Sequence, residues 1–182
     1  MAPYAGPVFT IGHSNRSLDA LVWVLRSHEV AHVVDVRRFP RSRRHPHFDA
    51  AVLTRELPAA GLGYEHAVGL GGFRRPAPRS VNTGLSTPAF QGYADYMQTA
   101  DFARHLAALI ATAVTTHIAI MCAEALPDHC HRSLLSDALT AQGLDVRHII
   151  DANPPAPHTM SPGARIESGR VTYPGQIELF GR

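Results

Sequence analysis

Cys122-Ala123-Glu124 and, a few residues on, Cys130-His131-Arg132 gather two thiols, a carboxylate, imidazole and guanidinium into one short segment of a 182-residue chain. Three kinds of chemistry use such groups. A thiolate facing backbone N–H groups and an arginine is the device of sulfur-transfer and phosphatase loops. Their spacing would require arginine at Asp128, so Cys122 reads more simply as a small buried hydrophobe. Cys122 and Cys130, with His129, His131 and Glu124, supply enough ligands for zinc or iron. The separation of the cysteines matches none of the compact Cys-x-x-Cys spacings, so neither a metal nor another cofactor is expected. The third kind is carboxylate chemistry, in which Glu124 would hold a ligand or move a proton.

Other residues suited to ligands lie upstream in Gly12-His13-Ser14-Asn15 and in Asp35-Val36-Arg37-Arg38. Arg37, Arg38, Arg41, Arg43 and Arg44, followed by His45 and His47, form a basic run with no intervening acid, although the net charge is only +2. Such clustering favours nucleic acid over a merely solvated surface. All 17 basic residues counted as Lys or Arg are arginine, which excludes a lysine Schiff base and the lysine of a Walker loop.

These residues need strand ends to hold them. Val8 to Gly12 reads as a strand, followed by Ser17 as N-cap and a helix from Leu18 to His28. His32 to Val36 is a second strand, Arg37 to Phe48 a polar loop, and Asp49 the cap of a helix from Ala50 to about Ala60 that ends at Gly61. Gly63 to His66 is a third, shorter strand, and Ala67 to Thr87, rich in Gly, Pro and Arg, a long surface loop. Pro88 opens a helix in which Phe90, Tyr93, Tyr96 and Met97 form an apolar stripe, and a second helix covers Asp101 to Ala113. His117 to Cys122 is the most strand-like run, followed by a turn, a helix from about His131 to Gln142 and a strand from Asp145 to Ile150. The Pro-rich stretch from Pro154 to Pro162 is expected to be irregular, and Arg165 to Tyr173 to form a small hairpin about Ser168-Gly169. Alternating strands and helices imply a single three-layer α/β domain with a mainly parallel sheet flanked by helices. In such sheets ligands bind beyond the carboxyl ends of the strands, where the three loops named above begin.

The chain also resembles the family catalogued as domain of unknown function 488. The likeness is carried by Thr10-Ile11-Gly12-His13-Ser14, Val34-Asp35-Val36-Arg37 with Pro40 and Ser42, Gly69-Leu70-Gly71-Gly72, Tyr93 with Tyr96-Met97, and Met121-Cys122-Ala123-Glu124 with Pro127 and Cys130-His131-Arg132. The resemblance implies excision of modified bases, including 5-hydroxymethylcytosine, from DNA. A base-excising glycosidase must bind phosphates, hold an extruded base, stabilise a cationic sugar and position a water. Asp35 and Glu124 are then the catalytic carboxylates, Phe39 and Tyr64 the stacking surfaces, and Arg41, Arg43 and Arg44, with Arg37 and Arg38, the phosphate contacts. His13, Ser14, Asn15, Gly71, Gly72, Cys122 and Arg132 complete the expected substrate site.

Each of these residues has a plainer alternative. Asp35 could pair with a nearby arginine, and Glu124 with Arg132. Arg132, at a helix start, could meet a phosphate or carboxylate, or an inward salt bridge. His13 and Ser14 could cap a turn, and Gly71-Gly72 could be a turn that needs positive φ. A thiol or metal enzyme on a small substrate and a non-enzymatic nucleic-acid binding module remain the rival classes. No apolar run approaches the length of a membrane span, and Met1 to Pro7 lacks a signal core, so a cytoplasmic place is expected. Two cysteines close together fit a reducing compartment. DNA is the expected partner, with no obligate protein partner.

Overall fold

A computed structural model describes residues 6–175 of the chain. Its strands are β1 (Val8–Gly12), β2 (His32–Asp35), β3 (Gly63–His66), β4 (Ile118–Cys122), β5 (Val146–Ile149), β6 (Ala156–Pro157), β7 (Arg165–Glu167) and β8 (Arg170–Thr172). Its α-helices are α1 (Leu18–Ser27), α2 (Ala50–Ala59), α3 (Pro88–Tyr96), α4 (Ala100–Ala113) and α5 (Arg132–Ala141). The main sheet runs β3-β2-β4-β1-β5-β6, parallel throughout except for β6 at its edge.

β4 and β1 are buried at every position, because strands covered on both faces must be apolar throughout, without alternation. One face packs on α1 and α2 through Leu21, Leu25, Leu53 and Leu57, together with Phe9, Ile11, Val33 and Met121. The other packs on α3, α4 and α5 through Tyr93, Phe102, Leu106, Leu109, Leu134 and Leu135. Each such side chain, fully buried, contributes about 1.5–3 kcal/mol of transfer free energy. The expected three layers are therefore present, and no helix among the described residues is long and apolar enough to cross a membrane.

Local signals acted largely as the residue types dictate. Ser17 caps α1 by accepting from the Ala20 N–H, Thr87 caps α3 through the Phe90 N–H, and Pro88 takes the first turn, where a missing N–H costs nothing. Asp49 precedes α2 as expected, but its carboxylate accepts from the Ser42 N–H at 2.7 Å and so braces the arginine loop instead of capping the helix. Gly71 and Gly72 correct another expectation. Gly71 has φ −73°, and Gly72 is not among the glycines with positive φ. What they need is closeness: a Cβ on Gly72 would lie 2.8 Å from Nδ1 of His131, and one on Gly71 3.0 Å from the Cα of Arg38. The left-handed residue in that loop is Phe73, at φ 57°.

The tail is less irregular than its prolines suggest. Ala156–Pro157 adds an antiparallel edge to β5, and β7 and β8 form the hairpin expected about Ser168-Gly169, both residues at positive φ. Val171 and Tyr173 are buried, and β8 lies against α5. A chain of hydrogen bonds fastens this region: Tyr173 donates to Asp137 at 2.7 Å, His158 bonds Asp137 at 2.8 Å and His148 at 2.9 Å, and His148 reaches Thr10 at 2.7 Å. The long loop before α3 is tied down similarly, since Asp95 accepts from Ala77 N, Ser80 Oγ and Asn82 Nδ2.

Candidate active site

The helices after β1 and β2 cover one face of the sheet and the helix after β4 covers the other, so the chain diverges around the carboxyl end of β4. A crevice belongs there, and one of about 450 Å³ is found. Its walls are the loop after β2 (Arg37, Arg38, Phe39, Arg41), Gly72-Phe73, the start of α3 (Ala89, Phe90), and the segment from β4 to α5. That last wall contributes Cys122, Ala123, Glu124, His129, Cys130 and His131.

Asp35 lies beneath this cleft and does not line it. It is wholly buried, with Oδ1 accepting from the main-chain N–H and Nε of Arg37 (3.0 and 2.9 Å) and Oδ2 from Arg37 Nη2 (2.6 Å) and the Tyr64 hydroxyl (2.8 Å). The ion pair anticipated as the plainer alternative is the one formed. Arg37 also donates to the Phe48 carbonyl and contacts His13 Nε2. Burial opposes its charge, but the bonds and charge of Asp35 outweigh burial and raise its pKa. Tyr64, expected as a stacking surface, is held by Asp35 away from the cleft, and burial with that carboxylate raises its phenol pKa.

The loop after β1 buttresses the site and does not face it. His13 is buried, stacks on Phe48 at 4.1 Å, and its Nδ1 lies 2.9 Å from the Ser14 carbonyl. An Nδ1–H donor there leaves Nε2 to accept from Arg37, and burial, which pushes the pKa down to about 4, keeps the ring neutral. The His13 and Ser14 amides donate to the carbonyls of Cys122 and Ala123, and Ser14 takes φ 52° to do so. Asn15 is exposed outside the cleft lining. Gly12 has a steric reason, because a Cβ would come within 1.7 Å of the Glu124 carbonyl oxygen.

Arg132 takes neither role considered for it. Its side chain is only 1% exposed, and Nη2 donates to the main-chain oxygens of Glu124 (2.6 Å) and Ala125 (3.4 Å), which shapes the turn after β4. No carboxylate pairs with it among the described residues. The Glu124 side chain is exposed on the cleft wall, and it is the only carboxylate among the described residues that line the cleft. Arg38 and Arg41 line the cleft, Arg43 and Arg44 are exposed outside its lining, and none of the four makes an ion pair among the described residues.

Two features exceed what residue order suggested. Phe73 is 82% exposed and meets Phe39, 68% exposed, with ring centroids 5.9 Å apart at the cleft. The left-handed backbone at Phe73 turns that ring outward, a signal visible only as an aromatic directly after Gly71-Gly72. The donor atoms of Cys122, Cys130 and His131 also lie within 4.8 Å of one another. The linear separation of the cysteines had argued against such grouping, but the turn braced by Arg132 folds the end of β4 back onto the start of α5. Both thiols are free and buried, and the pKa of Cys130 is lowered by a hydrogen bond from the Cys122 thiol and by His131 and Arg132.

Residues 17–139 match the family described as a domain of unknown function, DUF488, and the chain belongs to that family. No curated protein and no solved structure matches the chain.

Proposed function

We propose, from membership in this family and from the cleft at the end of β4, that the protein is a cytoplasmic DNA glycosylase acting on a modified pyrimidine such as 5-hydroxymethylcytosine. One observation carries the reading. A single exposed carboxylate, Glu124, shares a nucleoside-sized cleft with two exposed phenyl rings and with unpaired arginines. The arginines meet backbone phosphates, the rings of Phe39 and Phe73 offer faces on which an extruded base stacks, and the walls enclose that base.

In the reaction the C1′–N1 bond breaks and its electron pair leaves with the base, which takes up a proton. The sugar passes through an oxocarbenium-like state that the Glu124 carboxylate stabilises. Water then adds its oxygen to C1′ and gives a proton to Glu124, which returns it to solvent as solvent supplies the proton taken up by the base, leaving an abasic sugar and the free base. Asp35, saturated by Arg37 and Tyr64, acts as a positioning group that holds Arg37 at the cleft wall. With no lysine in the chain, no side-chain amine attacks C1′ and the N-terminal amine is the remaining amine candidate, so with water as the nucleophile the reaction is monofunctional and ends at the abasic site.

The test is release of free base from duplexes carrying a panel of modified pyrimidines. Release is expected from the 5-hydroxymethylcytosine duplex, and Glu124→Gln should slow it by about 10²–10⁴-fold. No release from any duplex, or an undiminished rate in Glu124→Gln, overturns the reading.

A further inference from the structure

The geometry points to a transition-metal site, suited first to zinc, formed by Cys122 Sγ, Cys130 Sγ and His131 Nδ1, with a fourth coordination position open to the cleft. The three donor atoms lie within 4.8 Å of one another, and Cys130 Sγ and His131 Nδ1 are 3.6 Å apart. Around a tetrahedral zinc with ordinary bond lengths a sulfur and a nitrogen stand about 3.5 Å apart and two sulfurs about 3.8 Å. The donors therefore stand near coordinating separation.

The orientation of His131 is the independent observation. Its Nε2 lies 3.2 Å from the Val36 carbonyl, to which only an N–H can donate, so in the neutral ring the lone pair is on Nδ1, on the side of Cys130. Metal-bound histidines are held by such a bond from the other ring nitrogen, commonly to a main-chain carbonyl. Tyr93 packs on the same ring at 4.8 Å, and Gly72 approaches it so closely that a Cβ there would lie 2.8 Å from Nδ1. Nothing in the base-excision reading requires this clamp.

Charge suits the site as well. Two thiolates and a neutral imidazole balance a divalent ion, and Cys122 and Cys130 are both free thiols, buried side by side at the cleft. Thiolate and imidazole ligands select zinc, or cobalt as its spectroscopic substitute, over magnesium or calcium. Because all three residues line the cleft, the fourth position faces the space that also holds Glu124, as in catalytic zinc sites with three protein ligands. Binding displaces the remaining thiol protons to solvent.

The experiment uses the full chain, reduced and freed of metal by a chelator, and titrated with cobalt(II) and then zinc(II). One ion should bind per chain, with a thiolate-to-cobalt charge-transfer band that zinc abolishes, and zinc should protect both thiols from a disulfide reagent. Cys122→Ser and Cys130→Ser should each diminish the band, and His131→Gln should weaken binding by at least about tenfold. His105→Gln, on α4 and outside the cleft lining, should leave the affinity unchanged. The site is refuted if the reduced wild-type chain shows no charge-transfer band while both thiols react freely with zinc present, or if Cys130→Ser binds as tightly as wild type. These readouts contain no DNA, so the metal site and the glycosylase reading fail separately.

Discussion

Asp35 and Arg37, two residues apart at the end of β2, close a side-on pair in which the carboxylate accepts from Nε at 2.9 Å and from Nη2 at 2.6 Å, both side chains being buried. Removing one partner of such a pair strands the other charge in a low-dielectric interior. Asp35→Ala should therefore destabilise the fold by about 3–5 kcal/mol, read as a lowered midpoint of chemical denaturation. Glu124→Gln, at an exposed side chain, should move stability by no more than about 0.5 kcal/mol, although it lines the cleft that Arg37 also lines. Equal stability loss in the two variants would contradict the division between a positioning carboxylate and a reacting one.

Phe39 and Phe73 present rings to solvent that the core does not use. Phe39→Ala and Phe73→Ala should each cost about 1–3 kcal/mol in binding single-stranded or base-modified DNA, the range measured for base stacking on aromatics. Fluorescence anisotropy at fixed salt checks this. An unchanged dissociation constant in both variants would remove the rings from the binding surface.

Arg41, Arg43 and Arg44 are exposed and unpaired among the described residues, whereas Arg37 is committed to Asp35. Each exposed arginine changed to glutamine should weaken DNA binding to a similar degree for all sequences, and should reduce the slope of log affinity against log salt by about one. If the slope stays at its wild-type value in the triple variant, phosphate contacts lie elsewhere.

Acid should unfold the protein in a window set by two histidines. Burial lowers the pKa of His13 and of His148 from 6.5 to about 4. Between those values the unfolded chain binds protons that the folded chain refuses, so stability rises with pH across the window. Their contribution is fully present above pH 6.5 and is lost as pH falls through about 4. Urea midpoints measured from pH 7.5 downwards should show this fall, and His148→Gln should flatten it by deleting one of the two groups. A stability that holds level down to about pH 4 would contradict the buried, neutral state of these rings.

Much of the scaffold was legible because it rests on local physics. The β1, β2 and β4 runs, the Ser17 cap, Pro88 at a first turn and Gly61 in a left-handed end each report the conformation of their own few residues. Alternation of these elements is enough to specify a parallel sheet and thereby the end of it where a ligand binds. The helix α5 shows where this stops. Ser133, Ser136 and Asp137 have the look of a solvent face, yet all are buried, and Asp137 meets Tyr173 from more than thirty residues later in the chain, where β8 lies against the helix.

The same limit governs the site. By itself the sequence determined which groups gather at the strand ends: two carboxylates, two thiols, an arginine loop and no lysine. Which carboxylate faces the cleft was decided by tertiary structure, since Arg37 from the loop after β2 and Tyr64 from β3 converge on Asp35 and leave Glu124 as the exposed one. It also decided the fate of Cys122 and Cys130, whose linear spacing matches no compact metal motif but whose sulfurs meet because a turn held by Arg132 folds back on itself. Spacing along a chain constrains only neighbours within a turn or two; distance across a sheet depends on how the layers close, and no short motif encodes that.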